Sequence, residues 1–471
     1  MAFPIVKSSM FSRSFDFSFP HFLISHISTF ENMAILSKDE AQTILKKVLA
    51  FSTADECEAT LNGNVGGNVR SARNSISTAG ASENVSLAVQ SRFGKRSGTA
   101  TCNEFDEATL RRCVQRAEEI ARLAPESPEY VPLLGPQTYL ASPGSFAART
   151  AGITPDYRAE QIGASMALCE QKKLSSAGFF NDSAGFVAKR NSKGLEAYQQ
   201  VSNLDFSITV RTADGTGSGY AIANYTDLAK FDAARLTRVA ADKAASSVNA
   251  KAIEPGKYTV ILEPAAAIDL LNNMMGAMDA RNADEGRSFL SKKGGGNKKG
   301  EKVFDERVTI YSDPTNPDVP DLTFAGDGRP QQKVTWVEKG IVKNLYTSRF
   351  WAQKSGVPDI PAPGGWIMQG GTQSTADLIK GTAKGILVTR LYYIRAVDPQ
   401  TLLYTGLTRD GTFYIENGVI KFPVKNFRFN ESPVIMLNNL EALGKPVRLN
   451  GSLVPPLKIR DFTFTSLSDA V

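Results

Sequence analysis

The hydrophobic period changes along this chain: helical and strand spacings are mixed as far as about residue 250, and beyond about residue 281 strand spacing takes over. A pattern with period 3.6 does not settle into a sheet, nor one with period two into a helix, so this change constrains the fold class more firmly than composition does. In the first half, SKDEAQTILKKVLAF places Ile44, Val48 and Leu49 on one helical face behind a Ser37/Asp39 start signal. Val85, Leu87 and Val89 then alternate, and GKRSGTAT (Gly94–Thr101) predicts a turn into a strand of small residues. Leu110, Cys113, Val114, Ala117, Ile120 and Ala121 form the stripe of a second helix, and a third runs from Asp156 to about Lys172. Strand patterns return over residues 177–210, Asp214-Gly215 marks a turn, and Asp232 to Val248 reads as a helix with Leu236, Val239 and Ala240 inward.

The second half opens on the apolar strand YTVIL (Tyr258–Leu262), followed by a helix from Pro264 to about Arg281. Glu416-Asn417-Gly418 and Glu338-Lys339-Gly340 have the chemistry of tight hairpin turns, and Leu457, Ile459, Phe462 and Phe464 alternate imperfectly, with a bulge expected at Asp461. At 471 residues the chain has room for two cores. The fold expected is α+β: an N-terminal α+β domain over 33–250 and a mostly β, curled-sheet or barrel-like domain over 251–471.

Residues 1–32 are rich in Phe and Ser but are interrupted by Pro20, His21 and His26 and lack a small-residue cleavage site, so they read as a disordered extension or a mis-assigned start ahead of Met33 rather than as a signal peptide. No apolar run approaches the ~18 residues that a membrane helix needs. The 54 basic side chains exceed the 48 acidic ones without forming a basic helix or an aromatic-interleaved stripe, which argues against nucleic-acid binding. Cys57, Cys102, Cys113 and Cys169 make no CxxC pair and read as buried free thiols of a reducing, cytoplasmic compartment.

No histidine follows His26, which removes the imidazole that a Ser-His-Asp or Cys-His site requires and the ligands of a HExxH-type zinc helix. The segment SKKGGGNKKGEK (Ser291–Lys302) fails the phosphate-loop pattern because Glu301 stands where the lysine belongs, and it reads as a mobile surface loop. Gly215, Gly217 and Gly219 give GxGxG without a strand-to-helix context and read as turn material. Paired carboxylates remain, Asp279 with Asp284 and Glu285, and Asp398 with Asp410; charged residues between strands are ordinarily solvated, and a catalytic dyad is the alternative.

Several phrases, read in order, resemble the TldD/PmbA family of peptidase-like proteins (modulators of DNA gyrase), and its PmbA (TldE) branch in particular. They are GKRSGTAT with the helix to Leu123, NSKG at Asn191–Gly194, YTVILEP running into Ala265–Met278, and Trp336–Leu345 with its hairpin. PGGWIMQGGTQSTADLIKG (Pro363–Gly381), GILVTRL (Gly385–Leu391), YIENGVIKFPV (Tyr414–Val424) and VIMLNNLEALG (Val434–Gly444) follow, so the resemblance spans roughly Met33 to Phe464. In the catalytic TldD branch the helix after this strand carries HExxxH, and a metal-ligating cysteine lies far downstream. Aligned without gaps on Glu263-Pro264, those positions are Asn272, Asn273 and Ala277, with Gly276 retained, and no cysteine follows Cys169. Amides and a methyl group do not hold a catalytic zinc. Ile268, Leu271, Met274, Met275 and Met278 are instead spaced as a buried face.

The resemblance implies a subunit inactive alone, which pairs with a TldD-like metallopeptidase, or with copies of itself, to degrade or process unfolded peptides. It implies no cofactor in this chain, with zinc or iron only in the TldD-like partner. Trp366, Gln369, Gly370 and Gly371 are the candidate peptide-binding loop, which would hold an extended substrate by backbone pairing; a plain strand connection is the alternative. Two other readings stand beside this one: a peptidase in its own right with an unorthodox site, and a non-proteolytic binding or scaffold protein.

Overall fold

The computed structural model describes residues 35–468, so the reading of residues 1–32 lies outside the described residues. The N-terminal half is one six-stranded antiparallel sheet built from β1 (Glu56–Ala72), β2 (Ser75–Phe93), β3 (Arg96–Cys102), β4 (Leu174–Asn191), β5 (Glu196–Thr212) and β6 (Ser218–Tyr225), in the order β3-β2-β1-β4-β5-β6. Its helices are α1 (Lys38–Phe51), α2 (Glu107–Leu123), the single turn α3 (Ala148–Ala151), α4 (Pro155–Gln171) and α5 (Ala233–Ser246). α1 begins in a capping box: Ser37 Oγ accepts from the Glu40 N–H (3.3 Å) and Glu40 Oε2 accepts from the Ser37 N–H (2.8 Å).

Side chains alternate across a strand, so Leu61, Val69, Phe180, Phe186 and Phe206 all point to one face of the sheet. α1 and α2 cover one end of that face over Leu45, Leu87, Val114 and Phe186; α4 and α5 cover the other over Ile162, Phe180, Phe206 and Ala240. The helices touch the sheet at narrower lines than the sequence stripes suggest. Ile120 and Val239, both expected inward, are 37% and 38% exposed, and in α1 Leu45 is fully buried while Ile44 and Leu49 lie at the margin. Glycine explains the first two. A Cβ on Gly98 would stand 2.3 Å from Ala117 O, and one on Gly219 would stand 2.1 Å from Ala240 O, so each strand rests on its helix backbone at an alanine and the larger neighbour is displaced to the rim. Gly217 meets Ala244 O in the same way, at 2.3 Å. Only Gly215, with φ of 73°, is turn material; Gly217 and Gly219 seat α5 on the sheet.

The C-terminal half starts with β7 (Gly256–Leu262), α6 (Pro264–Gly276) and the short α7 (Ala280–Asp284). The single helix expected to run to about Arg281 is thus two, because α6 caps at Ala277 and Asp279 accepts from the Asn282 N–H (2.7 Å) to start α7. The strands that follow are β8 (Ile310–Ser312), β9 (Val334–Glu338), β10 (Ile341–Val342), β11 (Ile367–Met368), β12 (Lys384–Val388), β13 (Leu391–Asp398) and β14 (Leu403–Thr408). After them come β15 (Thr412–Glu416), β16 (Val419–Pro423), β17 (Phe427–Glu431), β18 (Leu440–Leu443), β19 (Val447–Leu449), β20 (Ser452–Val454) and β21 (Leu457–Leu467). β7 lies inside a nine-stranded sheet ordered β13-β14-β17-β21-β7-β12-β15-β16, with β18 on β21, and this sheet curls as a half-barrel around α6. Both predicted hairpins are present, with Lys339-Gly340 and Asn417-Gly418 at positive φ, and the register slips at Asp461. Ile268, Leu271, Met274, Met275 and Met278 are buried in the core as their spacing predicts.

All four cysteines are unpaired, but Cys102, at the end of β3, is only half-buried. The lysine-rich segment closes into a surface turn: Asn297 donates to Asp284 (2.6 Å), Lys298 Nζ donates to Phe289 O (2.7 Å), and Gly294, Gly295 and Gly296 form an open tip. Arg448 joins the two halves, donating to Asn224 O (3.0 Å), Asp318 O (2.7 Å) and Thr226 Oγ1 (3.0 Å).

Candidate functional site

α6 is placed by both halves of the molecule. Its first residues follow β7 directly, and the Glu263 carboxylate that precedes them pairs with Lys243 of α5 at 2.6 Å. Ala266, Ala267, Ile268, Leu270, Leu271, Met274 and Met275 anchor the helix in the half-barrel and leave a stripe containing Asp269, Asn272, Asn273 and Gly276 partly open.

On that stripe the Asn272 carbonyl oxygen accepts a 2.9 Å hydrogen bond from Trp366 Nε1. Indole N–H is a donor only, which fixes the way the amide faces. Asn273 and Ala277 are half-buried beside it. The Gly276 carbonyl accepts from the Tyr346 hydroxyl, and the Ala277 carbonyl accepts from Ser288 Oγ at 3.2 Å. Burial pushes the Tyr346 phenol up to about 12, so it stays protonated as a donor at neutral pH.

The loop residues divide into two groups. Trp366 is 4% exposed and lies beneath the surface against α6, with its backbone N–H donating to Ser452 Oγ (3.2 Å). Gln369, Gly370 and Gly371 are exposed. Gln369 N donates to Thr309 O (2.9 Å) and Gly371 N to Gly444 O (3.0 Å), and a Cβ on Gly370 would stand 2.3 Å from Gly444 O, so the two glycines let the loop lie against the chain after β18. The tryptophan thus secures the loop from below while the other three residues face solvent.

The carboxylates singled out in the sequence do structural work. Asp279 caps α7, Asp284 accepts from Asn297 and from Trp351 Nε1 (2.8 Å), and Glu285 pairs with Arg281 and Arg287. Asp398 accepts from Gln400 N (3.0 Å) and Thr401 Oγ1 (2.6 Å) in its own turn, whereas Asp410 is buried, accepting from Ser218 Oγ and Arg390 Nη1 at 2.6 Å each. Neither grouping forms a catalytic dyad. Sequence reasoning missed Tyr220, Asp269 and Arg390, which line a cleft beside α6; they belong to three distant segments, and no spacing along the chain links them.

Three family models match in succession: the PmbA/TldA metallopeptidase domain 1 over residues 57–121, the central domain over 153–248 and the C-terminal domain over 255–466. The chain belongs to the TldD/PmbA family. The first two of its family segments share one sheet, since β1 of the first pairs along its length with β4 of the second. Among curated relatives, the chain is 26% identical over 371 residues to the uncharacterized protein MJ0231 of Methanocaldococcus jannaschii, covering 74% of this chain and 83% of that one. It is 23% identical over 463 residues to metalloprotease PmbA of Escherichia coli O157:H7, covering 91% and 98% respectively. The fold is that of TldE from Thermococcus kodakarensis, with a TM-score of 0.81 at 19% identity over 90% of this chain and 99% of that one.

A metal implied by the family would need ligands on or near α6, and the side chains there do not fit one. Asn272 offers an amide oxygen already engaged by Trp366, Asn273 a second amide, and Ala277 a methyl. Among the described residues, no three His, Cys, Asp or Glu side chains are grouped so that they could hold a metal ion. Zinc sites draw on imidazole, thiolate and carboxylate, and on this face of α6 Asp269, one turn before Asn272 and Asn273, is the one side chain of that kind, too few to hold the ion.

Proposed function

We propose that this chain is the non-catalytic, PmbA/TldE-like subunit of a two-chain peptidase, pairing with a TldD-like metallopeptidase that supplies the metal and cleaves unfolded peptides. The observation that carries this reading is the state of α6. The helix follows β7 directly and packs into the half-barrel, Asn272, Asn273 and Ala277 are the residues that the resemblance aligns with HExxxH, and Asn272 is committed to holding Trp366. A side chain that fastens a neighbouring loop has exchanged a catalytic duty for a structural one. The exposed residues Gln369, Gly370 and Gly371 support a role in contacting extended peptide, a recognition mode that reads little side-chain sequence; the Gln369 and Gly371 N–H groups are already taken by Thr309 O and Gly444 O, which leaves the rest of the loop for that contact. Four unpaired thiols suit a reducing cytoplasmic location.

The test is co-expression with a TldD-like chain carrying an intact HExxxH helix. The two chains are expected to co-elute from size-exclusion chromatography and together cleave an unfolded peptide that neither this chain nor buffer cleaves. Separate elution, with no gain in cleavage on mixing, would refute the pairing.

A further inference from the structure

A cleft of about 330 Å³ opens on the solvent side of α6, between β6 of the N-terminal sheet, the start of β13 and the turn after β19. It lies within the size range of small-molecule sites. Tyr220, Asp269, Arg390, Tyr392, Tyr393 and Asn450 line it, and these walls come from both halves of the molecule.

Two charged groups face this space with unused bonding capacity. Among the described residues Asp269 has no hydrogen-bond or ion-pair partner. Asp269 keeps access to solvent, yet the surrounding walls strip enough water from it to raise its carboxyl above the usual range, with Arg390 acting in the opposite direction. Arg390 is held rigidly: Nη1 donates to the buried Asp410 at 2.6 Å, and the guanidinium carbon lies 3.7 Å from the Tyr220 ring centroid and 5.3 Å from that of Tyr392. Its Nε and Nη2 N–H groups, one edge of the planar fork, have no acceptor among the described residues. Asp269 and Arg390 stand in one cleft without pairing with each other. Beside them Tyr393 has φ of 55°, a left-handed conformation that a bulky residue adopts only when its surroundings enforce it; the register slips between Tyr392 and Arg395, and Tyr393 is left 59% exposed.

An unpaired, partly desolvated carboxylate beside an open guanidinium edge, on aromatic walls, complements a ligand that carries both charges. We propose that this cleft binds a small α-amino zwitterion, a free amino acid or dipeptide, with its ammonium group on Asp269, its carboxylate on the Nε–Nη2 edge of Arg390, and its side chain against Tyr392 and Tyr393. Bidentate pairing of a guanidinium with a carboxylate is geometrically specific, and an ammonium ion gains from both the carboxylate and the tyrosine faces. The site requires nothing from a partner chain and stands apart from the pairing proposed above.

The experiment is isothermal titration calorimetry of the isolated full-length chain with the dipeptide Ala-Tyr, N-acetyl-Ala-Tyr and Ala-Tyr-amide. Ala-Tyr is expected to bind saturably, and each blocked form about tenfold or more weakly, because each loses one charged hydrogen-bonded contact. Asp269→Asn removes no contact within the chain, so its melting temperature should match that of the wild type while its preference for Ala-Tyr over the N-acetyl form disappears. Arg390→Lys keeps the charge beside Asp410 but loses the fork, and should abolish the preference over the amide. Absence of saturable binding by Ala-Tyr, or an Asp269→Asn chain that still discriminates against the acetylated form, overturns the proposal.

Discussion

The indole N–H of Trp366 and the amide oxygen of Asn272 meet at 2.9 Å, so the segment entering β11 is fastened to α6. Replacing Asn272 with Ala leaves that buried N–H without an acceptor, a loss of about 1–3 kcal/mol. Asn272→Asp keeps an oxygen in place and should retain most of the stability. Urea unfolding of both variants checks this; an alanine variant as stable as the wild type would mean that the bond carries no weight.

Gly219 is predicted to be irreplaceable for a reason unrelated to turns. A methyl group there would stand 2.1 Å from Ala240 O and 2.6 Å from Ala244 N, so Gly219→Ala must lift α5 from the sheet. The cost should be at least the ~1–3 kcal/mol typical of overpacking. Thermal unfolding of Gly219→Ala beside Gly215→Ala separates close approach from turn strain, since the Cβ at Gly215 meets nothing within 4 Å.

These glycines also show where the sequence was legible. Hairpins announced by Asn417-Gly418 and Lys339-Gly340, the bulge at Asp461 and the capped start of α1 are local events, and each formed where its residues called for it. Ile120 and Val239 were misplaced because helix-to-sheet spacing depends on a distant glycine that periodicity does not register. In the candidate site, the buried core face of α6 could be read from its spacing, whereas the bond from Trp366, 94 residues away along the chain, could not. Nor could the meeting of Tyr220, Asp269 and Arg390 be read, since it arises only when β6, α6 and β13 come together.

Arg158 and Asp182 form a buried two-bonded ion pair, at 2.5 Å and 2.9 Å, with both side chains about 5% exposed or less. Asp182→Ala strands a guanidinium under α4 and should cost about 3–5 kcal/mol. Gly67 leaves the room this pair occupies, since a Cβ there would stand 2.5 Å from the guanidinium carbon of Arg158. Gly67→Ala should therefore destabilise the same region, and the double variant should lose less than the sum of the two singles. Strict additivity in a double-mutant cycle would contradict this coupling.

Burial raises the Glu431 carboxyl above its ordinary value of 4.5, in spite of hydrogen bonds from Ser432 N and Thr463 N. The folded chain therefore holds this proton more tightly than the unfolded chain does. Stability contributed by the protonated form is complete below the unfolded value and declines as pH rises through the folded one. Urea unfolding measured from pH 4.5 upward should show Glu431→Gln losing that decline relative to wild type, whatever its absolute stability. Parallel profiles for the two chains would exclude Glu431 as a source of the slope.

The central claim, a peptidase-shaped subunit whose metal belongs to its partner, is tested most directly by metal content. Elemental analysis is made on the isolated chain and on the complex purified with a TldD-like metallopeptidase, both expressed with zinc and iron supplied. The account predicts far less than one metal ion per isolated chain, and about one per heterodimer, lost when the partner's HExxxH histidines are replaced. Stoichiometric metal in the isolated chain, together with chelator-sensitive cleavage of an unfolded peptide, would contradict it.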